Sequence, residues 1–112
     1  MFVFLSGTLY IRIHKFKIVI IMIRLNVFIQ VKEENHAALE AAAKELVAAS
    51  LKDKGCIAYD LFQSSTRADV LMICETWADA ESLAAHEASS HFTTLVPKMQ
   101  ELGTMKLEKF QF

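Results

Sequence analysis

A chain of 112 residues with a formal net charge of −1 is sized for one domain and has no basic excess with which to neutralise phosphates. Nucleic acid is therefore not expected as a partner, and the sequence carries no acidic or polybasic tail that would act as a charged arm. Hydrophobic residues make up 54% of it, above the usual share, which is enough for a core and for a second apolar surface that something must cover.

Residues 1–21, MFVFLSGTLYIRIHKFKIVII, are apolar but interrupted by Arg12, His14, Lys15 and Lys17. A secretory signal places its positive charge before one unbroken apolar run, and a membrane span takes about 20 such residues. Neither pattern is met, so no membrane partner and a cytoplasmic location are expected. The segment reads as a non-core extension, derived from an upstream start codon or dispensable, ahead of a domain at 22–112. Its alternatives are an added β-strand or a membrane-surface anchor. His14, within it, reads as a surface residue.

Residues 23–31 alternate, with Ile23, Leu25, Val27, Ile29 and Val31 on one face and Arg24, Asn26, Phe28 and Gln30 on the other. Period two with β-branched residues predicts a strand with one wholly apolar face. A helix follows, with Asn35 as its expected N-cap and a stripe of Leu39, Ala42, Ala43, Leu46, Val47 and Leu51. Lys52 and Lys54 suit its C-terminal dipole, and Gly55 is its expected stop. Residues 56–64 predict a second strand, with Ile57, Tyr59 and Leu61 opposite Cys56, Ala58, Asp60 and Phe62. The polar turn SSTRAD then leads to a third strand at 70–77, an antiparallel hairpin. Asp79 is placed to cap a short helix, the pair Ser89-Ser90 interrupts it, and Ser90 is expected to cap a further helix through Leu102. Residues 104–112 alternate once more as a last strand.

The order β-α-β-β-α-β is the ferredoxin-like unit, an α+β fold with both helices on one face of an antiparallel sheet. No further helix is left to cover the opposite face, where Phe28, Phe62, Met72, Cys74, Phe110 and Phe112 are expected. An apolar face of that extent is an association surface, and two sheets meeting face to face predict a homodimer.

Four histidines are present. His86 and His91 are five apart, and the Ser89-Ser90 break can turn both imidazoles toward one cavity, where either could move a proton at neutral pH. Glu75 lies on an otherwise apolar strand face, which costs free energy unless it meets a partner such as His86 or Arg24 or reaches solvent. Trp77 shares that face and reads as core or as a substrate wall. Tyr59 and Phe92 are packed aromatics that could equally line a pocket. No His-x-x-x-His pair is present, the two cysteines read as reduced strand residues, and three glycines give no dinucleotide loop. No metal and no cofactor are predicted.

Taken in order, Gly55-Cys56, the strand end Glu75-Thr76-Trp77, the short helix reaching His86, and His91-Phe92 form a set. It resembles the antibiotic-biosynthesis-monooxygenase family, which includes cofactorless quinol monooxygenases, over residues 22–112. The resemblance implies a dimeric α+β barrel with Glu75 and Trp77 around a substrate cavity and at least one of His86 and His91 lining it. It also implies that Asn26 holds or polarises a substrate oxygen, with dioxygen and a small aromatic molecule as partners. The expected activity is oxidation of a quinol or polyphenol, with His86 or His91 as base and Glu75 orienting it. Rival readings are an isomerase of a small phosphorylated ketone, for which Arg24, Lys98 and Lys106 are the nearby cations, and a non-catalytic small-molecule-binding dimer.

Overall fold

The computed structural model describes residues 21–112 in full and 2–5, 8–13 and 16–20 as backbone strands, so His14 lies outside the described residues. Three short strands, β1 (Phe2–Leu5), β2 (Thr8–Ile13) and β3 (Phe16–Ile20), pair antiparallel in a sheet of their own.

From Ile23 onward the chain folds as β4 (Ile23–Val31), α1 (Glu33–Ser50), β5 (Cys56–Gln63), β6 (Val70–Trp77), α2 (Ala80–Glu87), α3 (Ser90–Leu102) and β7 (Gly103–Gln111). The four strands form an antiparallel sheet in the order β5-β6-β4-β7, the ferredoxin-like arrangement with its second helix divided in two. The inward residues of the alternating strands make the core. Ile23, Ile29, Leu71, Ile73 and Trp77 are buried against Leu39, Ala43 and Leu46 of α1 and Met99 of α3. Each such side chain stabilises the fold by roughly 1.5–3 kcal/mol relative to exposure, which makes this face the one that fixes register.

The other face carries the apolar set expected there. Phe28, Phe62 and Phe110 are 44%, 50% and 48% exposed. Phe28 stands opposite Met72, and Met72 opposite Phe62, so three strands contribute to one row.

Local details depart from the sequence reading. Helix α1 begins at Glu33 with Lys32 at the cap position and no side-chain cap bond. Asn35 is inside the helix, and its Nδ2 donates instead to the carbonyl of Leu102 at 3.2 Å, closing the end of α3. Helix α1 ends at Ser50, which is fully buried, whereas Leu51 beyond it is exposed. Strand β5 carries a bulge: Cys56 pairs with Trp77 and Ala58 with Thr76, leaving Ile57 as the extra residue. Cys56 therefore packs against the core and Ile57 faces out, the reverse of a strict alternation. The cap of α3 is Ser89, not Ser90.

Candidate active site

The site is assembled where α1, α2 and α3 meet above β5 and β6. After α1 the chain turns through residues 51–55, with the Asp53 N–H bonded to the Ser50 carbonyl at 3.0 Å and the Cys56 N–H to the Asp53 carbonyl at 3.2 Å. Gly55 closes this turn at φ +81°, and a Cβ there would collide with the Ser82 side chain of α2. The left-handed conformation and the close approach both require glycine. Together they bring Asp53 up to the side of α2.

Asp79 starts α2 by accepting from the Ser82 N–H at 2.8 Å, and two turns later the helix presents His86, 1% exposed. Ser89 then accepts the Phe92 N–H at 3.3 Å while its hydroxyl donates to the His86 carbonyl. This break reorients the chain so that His91, on the first turn of α3, comes back toward His86. The imidazole ring centres are 5.7 Å apart.

The two histidines share one acceptor. His86 Nδ1–H donates to Asp53 Oδ2 at 2.8 Å, and His91 Nε2–H donates to the same oxygen at 2.8 Å. Side-chain exposure rises along the set, from 1% at His86 to 21% at Asp53 and 19% at His91. Burial pushes the Asp53 carboxyl up, but the hydrogen bonds from His86 and His91 outweigh it and hold the group below its ordinary 3.8. Burial likewise draws His86 below its ordinary 6.5, against the opposing pull of Asp53. His86 is thus a neutral imidazole beside a carboxylate.

With Nδ1 donating, Nε2 of neutral His86 keeps its lone pair. That atom is buried and has no hydrogen-bond partner. An unsatisfied buried acceptor costs about 1–3 kcal/mol, so an incoming donor is favoured here. His86 lines a cavity of about 190 Å³ together with Tyr59, Glu75, Phe92, Leu25 and Ile73. Aromatic rings box the imidazole: Trp77 lies 4.5 Å away at 34°, Phe92 5.2 Å at 79° and Tyr59 5.5 Å at 61°.

Glu75, 5% exposed, accepts from the Trp77 indole Nε1–H at 2.9 Å. Burial raises its carboxyl above the ordinary 4.5, with the Trp77 bond pulling it back. Tyr59 stands directly across from it, its hydroxyl pushed up first by burial and then by the Glu75 charge.

The expected residues therefore divide. His86, Glu75, Tyr59 and Phe92 border the cavity. His91 bonds Asp53, and is not among the lining residues; Trp77 sits behind His86 as a fully buried support. Asn26 does not line the cavity, because the odd-numbered residues of β4 face the helices and Asn26 pairs across from Cys74 on the outer face. Glu75 does not orient His86, since its bond goes to Trp77 and Asp53 takes that position. Asp53 itself was missed. The available signal was an acid just after a helix C-terminus, where the dipole disfavours negative charge, between two lysines that suit it.

No metal site was predicted from spacing, yet folding gathers Asp53, His86 and His91 with their donor atoms within 4.8 Å of one another. A broader hollow of about 920 Å³ lies elsewhere, along Val31, His36, Gln63, Thr66 and Asp69, with no orphaned buried donor or acceptor in its lining.

The sequence model of the antibiotic biosynthesis monooxygenases matches residues 22–98. A Bacillus subtilis (strain 168) protein named "Putative monooxygenase YcnE" is 31% identical over 87 residues, 78% of this chain and 92% of that protein. The crystal structure of a Bacteroides thetaiotaomicron protein of unknown function, described as a possible oxidoreductase, is 64% identical. It superposes with a TM-score of 0.80 over 81% of this chain and 97% of that one. A conserved Methanosarcina mazei protein is 30% identical, with a TM-score of 0.75 over 83% of this chain and 92% of its own.

Proposed function

We propose, for a chain that belongs to the antibiotic biosynthesis monooxygenase family, that it is a cofactor-independent monooxygenase of a single-ring quinol or related phenol, with His86 as its base. The observation that carries this reading is the buried, unpartnered Nε2 of His86 at a cavity boxed by aromatic rings, with Nδ1 pinned by Asp53. The volume argues for ring count: about 150 Å³ of apolar cavity accepts benzene, so about 190 Å³ accommodates one substituted ring.

A phenol hydroxyl gives its proton to Nε2, and the resulting imidazolium is held by the Asp53 carboxylate. The phenolate is electron-rich enough to pass one electron to dioxygen, and the ring radical and superoxide then combine to form a C–O bond at a carbon that bears hydrogen. Loss of water breaks the O–O bond and leaves a carbonyl. One oxygen atom enters the product, the other leaves as water, and all the electrons come from substrate. Glu75 and Tyr59 offer polar atoms for the second substrate oxygen, and Phe92 a wall. The lining contains no Lys or Arg, so a phosphorylated ketone has no counter-charge there. Arg24 and Lys106 are on the outer face of the sheet.

A dimer through that outer face and a cytoplasmic location complete the reading. Among the described residues no helix is long and apolar enough to cross a membrane. The test is oxygen uptake with a panel of monocyclic and polycyclic quinols. His86→Phe is expected to cut uptake by about 10²-fold or more, and monocyclic substrates to be preferred. Full activity in that variant, or wild type that binds quinols without consuming oxygen, overturns the assignment and leaves the binding-dimer reading in its place.

A further inference from the structure

We infer that Asp53, His86 and His91 form a binding site for a divalent transition-metal ion of the zinc, cobalt or nickel class, and that the ion disables the base when bound. The donors are a carboxylate oxygen and two imidazole nitrogens, the ligand set such ions select over magnesium or calcium. The three atoms come from three separate elements, the turn after α1, the end of α2 and the start of α3. Asp53 and His91 are partly exposed, which gives a hydrated ion a path in and leaves a coordination position for water.

The geometry also sets the cost of binding. Zinc holds its donors at about 2.0–2.2 Å, so neighbouring donors in a tetrahedral site stand roughly 3.3–3.6 Å apart. Asp53 Oδ2 is 2.8 Å from each nitrogen, and the whole set spans 4.8 Å at most. Gathering it around an ion takes a displacement of about 1 Å. His91 can supply it, being on the first turn of α3 and partly exposed, whereas His86 is fixed by Trp77, Tyr59 and Phe92. The ion replaces the two N–H bonds that now converge on one oxygen.

The consequence for catalysis rests on the reading of His86 as base. Coordination through Nδ1 needs the lone pair on that atom, so its proton moves, by exchange with water, to Nε2. The cavity-facing nitrogen then becomes a donor and can no longer accept a proton from substrate. No bond other than N–H is made or broken in the protein, and the ion keeps its oxidation state.

Titrating the full chain with Co²⁺ and following its visible absorption tests the site, with Zn²⁺ as competitor. One ion per chain is expected, weakened about tenfold or more in both His91→Ala and Asp53→Ala and unchanged in His36→Ala. His91→Ala carries the test if Asp53→Ala fails to fold, because His91 is partly exposed on the first turn of α3. Nitrogen NMR of the imidazoles is expected to show the His86 proton moving from Nδ1 to Nε2 when zinc is added. Unaltered cobalt affinity in His91→Ala, or no binding below millimolar metal, overturns the site. Binding with the Nδ1 proton still in place, or quinol turnover that continues at saturating zinc, overturns the switch. The binding and NMR measurements need no substrate, so they decide the site even where wild type proves inactive on quinols.

Discussion

One carboxylate oxygen accepting two imidazole N–H bonds gives Asp53 two effects on His86. It fixes the tautomer, and its charge stabilises the imidazolium that proton transfer would create. Asp53→Asn keeps the volume and removes the charge, so oxygen uptake is expected to fall by about 10²-fold or more while circular dichroism stays unchanged. Glu75 poses the opposite case. Its folded-state pKa is raised above 4.5 chiefly by burial, so its ionised form is the one the fold disfavours. The penalty is absent below the unfolded-state value, grows as pH rises past it, and is complete above the folded-state value. Glu75→Gln, which still accepts from Trp77, is therefore expected to melt several degrees higher than wild type at neutral pH and equally at pH values below about 4. A lower neutral-pH melting point in the variant refutes this account. Glu75 was legible in the sequence because a carboxylate interrupts an apolar face. Asp53 was not, because its meaning depends on histidines 33 and 38 residues away.

At the scale of elements, alternation and helical spacing were sufficient wherever a segment's partners were set by one buried face. The strand at 23–31 and the inward set of β6 follow from their own sequence. The details that were misjudged depend on distant partners. Asn35 is drawn from a capping role by the Leu102 carbonyl, and the bulge at Ile57 lets Cys56 pack beside Trp77. The break between α2 and α3 was visible as two serines, but which one caps depends on the turn geometry. Ser89→Ala removes both the acceptor for Phe92 N–H and the donor to the His86 carbonyl. It is expected to cost about 1 kcal/mol in chemical denaturation and to lower activity through the placement of His91. No loss in either measurement would show that the break is held by packing alone.

At the scale of the whole molecule, the two faces of the sheet have different tasks. The inner face is closed by three helices and carries the candidate site; the outer face presents Phe28, Phe62 and Phe110 beside Met72 and Cys74. Near its centre lies Asn26, whose Oδ1 is buried without a hydrogen-bond partner. In the proposed dimer a second copy of the chain would cover the phenylalanines, and a donor from it would satisfy that oxygen. Replacing Phe28 and Phe62 together by Asp is expected to give a monomer by sedimentation that retains the His86 cavity, since neither side chain points toward it. The segment 1–21 is a separate matter. Among the described residues, strands β1–β3 pair with one another, β4 is already flanked by β6 and β7, and the family match begins at residue 22. Residues 22–112 alone are therefore expected to fold, dimerise and melt within a few degrees of the full chain. If the shortened chain is insoluble or monomeric, the N-terminal strands help to cover the sheet, and the domain boundary moves to the start of β1.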